Sequence, residues 1–151
     1  MEQLIFEKDK RPIVGLGLLV VRGDQILLGK RKGSHGAGEF GGPGGHLEYM
    51  EEFEDSLLRE VVEEAGRELS VTNPEFLCVT NMTQYAEEKD HYVDMGFVAE
   101  WVSGDPKVME PHKLEYWGWY DLDDLPSPLF GAVANYIMAY KTGRTFFGKK
   151  S

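Results

Sequence analysis

Cysteine is nearly absent: Cys78 is the only one in 151 residues. A lone thiol excludes an internal disulfide and a zinc site built from clustered cysteines. It also suits a reducing compartment, so a cytoplasmic protein is the expectation. No apolar run reaches the ~18 residues of a membrane span, and the opening MEQLIFEKDKRP is too charged for a secretory leader. Basic residues are outnumbered, with 16 Lys and Arg against 26 Asp and Glu, and the net charge is -10. Duplex DNA and other long polyanions need a basic surface. Nucleic-acid polymers and membranes are therefore not expected partners. A small anion stays open as a ligand if divalent cations mediate its binding.

The composition is otherwise that of a globular protein, 42% hydrophobic and 12% aromatic. No repeat, linker or low-complexity tract divides the chain, so one domain over residues 1–151 is expected. PIVGLGLLVV (12–21) reads as a buried strand, Arg22 to Gln25 as a turn with Gly23-Asp24 at its tip, and ILLGK (26–30) as the returning strand. The following RKGSHGAGEFGGPGG has seven glycines in fifteen residues and reads as a loop with unusual dihedrals or a close backbone approach. Residues 51–65 are helical in period, with Phe53, Leu57, Leu58, Val61, Val62 and Ala65 on one stripe and Gly66 at the C-terminal cap. FLCVTN (76–81) and HYVDMGFVAEWV (91–102) read as a hairpin across a polar turn at 84–90. LEYWGWY (114–120) reads as a last strand, and 128–141 as a second helix with Pro128 in its first turn. The order predicts an α/β fold, a mixed sheet with helices against its faces.

Within GGHLEYMEEFEDSLLREVVEEAG (44–66), eight residues are acidic and only Arg59 is basic. On a helix, Glu60, Glu63 and Glu64 fall at i, i+3 and i+4 and are expected to converge. Such like charges repel unless a cation relieves them, and hard cations such as Mg2+ prefer carboxylate oxygens. The glycine-rich loop before the helix can add carbonyls for a metal and N–H groups for a phosphate. A Glu-rich helix by itself is more often a solvated acidic face.

The spacing Gly45, Glu51, Arg59-Glu60, Val61, Glu63-Glu64, Gly66 resembles the signature of the Nudix hydrolases. Seven fixed residues with exact gaps make the match specific. Only the last apolar position departs, with Arg67 there and Leu69 two residues on as the expected replacement in the packing. KRKGSHGAGEF, GGHLE, HYVDM and MEPHKLEYWGWYDLDDLPSPLF extend the likeness over roughly residues 11–131. They are similar to the MutT-type nucleotide pyrophosphatases that include the mammalian MutT homologue 2 and its plant relatives.

The resemblance implies a Nudix fold, an α/β/α sandwich, and commonly a homodimer. It implies Mg2+ or Mn2+ bound by Glu60, Glu64 and the Gly44 carbonyl, with Glu63 either a third ligand or the base that activates water. Arg59 would hold a catalytic glutamate in place, and Glu51 would act from behind it. A further acid from the loop before the last strand would be Glu110 or Glu115. Arg31 and His46 are the candidate phosphate ligands, and Phe40, Leu129 and Phe130 would frame the base. Trp117 and Trp119 read as core or dimer packing. Asp94 lies mid-strand, sharing a face with Tyr92 and Gly96. It is read either as an acceptor for the guanine edge or as an exposed acid on an edge strand. The subgroup usually has a larger residue where Gly42 stands, so a widened base pocket is expected. Met50 replaces a usual glycine in the turn that leads into the helix.

Three functions are compatible with these residues. The leading one is a Mg2+-dependent hydrolase cleaving a (deoxy)nucleoside triphosphate to the monophosphate and pyrophosphate, which would sanitise the nucleotide pool. A nucleoside diphosphate-X hydrolase, acting on a nucleotide sugar or ADP-ribose, would use the same helix chemistry. A nucleotide-binding module without catalysis is the third, and the intact glutamates count against it. The acidic surface counts against decapping of a long RNA.

Overall fold

In a computed structural model, residues 11–83 and 90–149 are described. The sheet is built on β1 (Ile13–Arg22), whose alternation sends Leu16, Leu18 and Val20 to one face and Leu19 and Val21 to the other. A two-residue turn at Gly23-Asp24 returns the chain as β2 (Gln25–Arg31). The glycine-rich stretch expected to be loop contains two short strands, β3 (Phe40–Gly41) on β2 and β4 (Gly44–His46) on β1. Their bonds are main-chain only, so no side-chain alternation announced them.

Helix α1 (Phe53–Ala65) follows, two residues shorter at its start than predicted, and its last turn closes on the Gly66 N–H to the Val62 carbonyl. Leu57, Val61 and Ala65 enter the core, Leu58 is half-buried, and Val62, expected on the buried stripe, is exposed. Arg67 is exposed while Leu69 is buried beside them. After β5 (Ser70–Val71), β6 (Glu75–Met82) and β7 (Tyr92–Ser103) pair antiparallel as expected; of the turn predicted at 84–90, all but Asp90 lies outside the described residues. β8 (Leu114–Asp121) pairs with β2, and β9 (Phe146–Phe147) with β6. The second helix, α2 (Val133–Thr142), starts five residues later than predicted, because residues 128–130 pair with Phe40 and residues 131–132 form a turn.

β7 lies parallel to β1 in the middle of the sheet, between β1 and β6. One core, under α1, contains Leu16, Leu18, Val20, Leu57, Val61 and Phe97, with Trp117 and Trp119 packed against it. The other, under α2, contains Leu19, Val21, Ile26, Cys78, Ile137 and Phe147. The sheet is thus sandwiched between helices as predicted.

Met50 has a φ of +64 and is 85% exposed. The turn into α1 keeps a left-handed residue although a side chain now occupies it, at a cost of roughly 1 kcal/mol. Met50→Gly is expected to raise stability by up to ~1 kcal/mol, less the extra entropy it gives the unfolded chain. Urea denaturation of both forms checks this; an unchanged or lower midpoint would show the turn to be unstrained.

Candidate active site

Helix α1 and strand β4 put the acids and the glycine-rich backbone side by side. Arg59 is the hub. Its Nε and second guanidinium N–H group donate to the two oxygens of Glu51 at 2.8 and 3.0 Å, while Nη1 reaches Glu60 at 3.0 Å and Glu63 at 3.2 Å. Glu48 stands 3.8 Å away. The bidentate bond from Arg59 pulls the Glu51 carboxyl down to about 2, and the surrounding carboxylates push the Arg59 pKa up.

Glu60 and Glu64 face inward, and Glu60 is only 12% exposed. Burial pushes the Glu64 carboxyl up to about 9, and the hydrogen bond to Glu60 and that residue's charge push the same way, with Glu110 adding to them. Burial beside a second carboxylate favours the protonated form of Glu64 in the absence of a cation. A Cβ on Gly45 would run into the Glu60 carboxylate, so the chain leaves this space bare. A closely spaced pair of hard oxygen donors beside a glycine backbone fits a divalent cation. The predicted convergence of three glutamates is corrected: Glu63 turns outward to Arg59 and is 52% exposed. Among the described residues, no three acidic, His or Cys side chains stand together at metal-binding spacing.

The two acids left open after the helix now separate. Glu110 lies close enough to raise Glu64, whereas Glu115 pairs with Lys30 at 3.5 Å on the sheet.

Next to the carboxylates a cavity of about 210 Å³ opens between β1, β4, β7 and the start of α2. Arg31, Gly42, Gly44, His46, Asp94 and Phe130 line it. The Arg31 guanidinium lies 3.7 Å over the Phe130 ring and bonds the His35 carbonyl. His46 is exposed, its ring 5.6 Å from that of Tyr92. Phe40 and Leu129 do not frame this cavity: Phe40 is 8% exposed, stacked edge-on to Tyr120 in the α2 core, and Leu129 packs there too. The resemblance implies that they frame the base, but the strand β3 and the Phe40–Leu129 bridge turn them inward. Gly42 does not widen the pocket either, since a Cβ there would lie 2.6 Å from the Leu18 carbonyl oxygen.

Asp94 is no edge-strand acid, because β7 is flanked by β1 and β6. Its carboxylate accepts a hydrogen bond from the Tyr136 hydroxyl. Burial raises its pKa to about 6, against the lowering effect of that bond. Tyr92, expected on the face of Asp94, also lines the cavity, as do Tyr136 and Gly15, which were not picked out from the sequence. The signal was there: Gly15, Gly17 and Gly96 leave strand positions bare, as close approach by a large side chain requires.

A raised carboxyl pKa means the folded chain holds its proton to higher pH than the unfolded one. Stability is therefore lost as pH rises from about 4 to about 6 and stays lost above that. Asp94→Asn keeps the acceptor for Tyr136 and is expected to be ~1–3 kcal/mol more stable than wild type at pH 7.5, with the difference vanishing near pH 4. Melting curves at both pH values check it; a destabilised variant at pH 7.5 would contradict the assignment.

The chain belongs to the Nudix hydrolase family, whose domain matches residues 11–140. It is 35% identical over 126 residues to the NAD-capped RNA hydrolase NudC of Pseudomonas putida (strain W619), covering 80% of this chain and 41% of that protein. The chain thus spans about two-fifths of the length of that relative. It is 29% identical over 109 residues to the oxidized purine nucleoside triphosphate hydrolase of Mus musculus, covering 72% of this chain and 66% of that one. A MutT NUDIX hydrolase from Burkholderia pseudomallei, solved by crystallography, superposes with a TM-score of 0.79 at 38% identity, covering 85% of this chain and 98% of the other. Among the described residues no helix is long and apolar enough to cross a membrane.

Proposed function

We propose that this chain hydrolyses a (deoxy)nucleoside triphosphate to the monophosphate and pyrophosphate, with a divalent cation held by Glu60, Glu64 and the Gly44 carbonyl. The observation that carries this reading is the buried Glu60–Glu64 pair beside a base-sized cavity. Mg2+, or Mn2+ in its place, supplies charge neutralisation and an activated water when bound. Arg31 and His46, which line the cavity, hold phosphate oxygens. Glu63, the glutamate of the box left open to solvent, takes the proton of the attacking water at a carboxylate oxygen. Arg59 orients Glu60 and Glu63 and is itself locked by Glu51. Glu110 supports the Glu64 side of the site. Phe130 and Asp94 receive the base. A homodimer and a cytoplasmic location belong to the same proposal; light scattering of the purified protein tests the former.

A second reading has its own support. The Pseudomonas relatives are named for NAD-capped RNA, whose cleavable bond joins two nucleotides through a diphosphate. A diphosphate-X substrate would meet the same glutamates. The present chain has a net charge of -10, which disfavours the RNA portion and leaves a free dinucleotide or nucleotide sugar.

Chromatography of the products from a panel separates the readings: (d)NTPs, oxidised dGTP, NAD, ADP-ribose, nucleotide sugars and a short NAD-capped RNA, each with Mg2+. Monophosphate and pyrophosphate from a triphosphate is the expected result. Turnover confined to diphosphate-linked compounds would overturn the substrate class and keep the metal site. Binding without turnover would overturn catalysis.

A further inference from the structure

The last carbonyls of an α-helix have no N–H of their own helix to accept from. In α1 the Gly66 N–H takes the Val62 carbonyl, and the carbonyls of Glu64 and Ala65 are met from outside the helix. The Lys107 main-chain N–H donates to Ala65 at 2.8 Å. The Trp117 indole N–H lies 3.2 Å from the Glu64 carbonyl and 3.2 Å from that of Lys107, and it is shared between them. One donor thus ties α1 to residues 104–113, which join β7 to β8 without helix or strand. Other contacts hold the same segment in place. Lys107 Nζ pairs with Glu68 at 3.0 Å, and Trp101 donates to the Gly104 carbonyl at 2.7 Å. β2 leaves room for the indole, since a Cβ on Gly29 would stand 2.9 Å from the Trp117 ring.

The segment so held carries Glu110, the acid that acts on the Glu64 side chain. Glu64 is therefore reached twice from β8 and the segment before it, at its side chain by Glu110 and at its carbonyl by Trp117. Any flat apolar ring could fill the core under α1. Only an indole adds a donor at its edge that two carbonyls can share. We propose that Trp117 is a positioning residue of the cation site, its indole N–H setting Glu110 in register with the Glu64 end of α1. This rests on the reading that Glu60 and Glu64 hold the cation, and it is independent of which nucleotide is the substrate.

The test titrates Mn2+ alone, followed by electron paramagnetic resonance, into wild type, Trp117→Phe, Trp119→Phe, Glu110→Gln and the double variant Glu110→Gln/Trp117→Phe. Trp119 packs against the same core as Trp117, so Trp119→Phe controls for lost packing. Groups that orient metal ligands from behind are worth about 10- to 100-fold in affinity. Trp117→Phe is expected to weaken Mn2+ binding by about tenfold, while Trp119→Phe binds as wild type does. Glu110→Gln is expected to weaken it too, and the double variant to lose less than the product of the two single losses, because Trp117 acts through Glu110. A folded Trp117→Phe that binds Mn2+ like wild type, an equal loss in Trp119→Phe, or single losses that multiply in the double variant would overturn the proposal. Wild type that binds no Mn2+ would overturn the cation reading as well. If Trp117→Phe does not fold, the indole 15N–H spectrum of wild type decides, with its signals assigned through Trp101→Phe and Trp119→Phe. The Trp117 signal is expected to shift as Mg2+ binds while the Trp119 signal stays, and a Trp117 signal that Mg2+ leaves in place would overturn the proposal.

Discussion

Replacing Glu64 by Gln is expected to lower turnover by on the order of 10³-fold, while the metal-free protein becomes more stable. The two effects have one cause. Glu60 and Glu64 are neighbouring carboxylates largely withdrawn from water; Arg59 offsets part of the charge of Glu60, while burial and Glu60 favour the protonated form of Glu64. Gln at 64 donates an amide N–H to the Glu60 carboxylate and ends the conflict, for a gain of ~1 kcal/mol and a few degrees in Tm. It also removes one anionic ligand, and with it several kcal/mol of transition-state charge stabilisation. Melting in EDTA and in 5 mM Mg2+ (an assay choice of about that concentration) separates the terms. Wild type gains Tm with Mg2+, and the variant starts higher and gains little. A variant that is both less stable in EDTA and still shifted by Mg2+ would show Glu64 to be an ordinary structural acid.

Arg59→Ala is expected to destabilise the metal-free fold at pH 7 and to abolish turnover. Its guanidinium serves Glu51, Glu60 and Glu63 at hydrogen-bond distance and Glu48 slightly further off. Removing one cation leaves four carboxylates without it, and the partly buried Glu60 suffers most. The pH dependence follows from Glu51. Arg59 depresses its pKa from 4.5 to about 2, so the stabilisation is complete above about 4.5 and is lost as pH falls toward 2. Urea midpoints at pH 7 and pH 3 are expected to differ less in the variant than in wild type. Arg59→Lys is not expected to restore either property, because an ammonium cannot reproduce the two parallel bonds to Glu51. A wild-type pH slope in the alanine variant would contradict this account.

How much of this was readable in the chain depended on the range of the interactions. Helix α1 and its cap were readable because the 3.6-residue period and Gly66 are local. The core strands were readable from their apolar runs. The short strands β3 and β4 were not, since glycines carry no alternation and their partners are main-chain groups of β1 and β2. Phe40 and Leu129 depart from what the resemblance implies for a related reason: their inward orientation is set by main-chain pairing of β3 with β2 and by the Phe40–Leu129 bridge, which leave no local pattern in the sequence. The environment of Asp94 depended on a parallel pairing between β1 and β7, strands separated by half the chain. Its parity with Tyr92 and Gly96 was legible; its interior position was not. Tyr136 sits on an ordinary amphipathic helix. Only the bare glycines on the facing strands mark it out.

The central claim is that the Glu60–Glu64 pair is the cation site of a Nudix hydrolase. It is tested most directly by Mn2+ binding followed by electron paramagnetic resonance in wild type, Glu60→Gln, Glu64→Gln and Glu115→Gln. The account predicts that wild type and Glu115→Gln bind alike and that the first two variants lose at least tenfold in affinity. Mn2+ binding that Glu60→Gln and Glu64→Gln leave unchanged would contradict it.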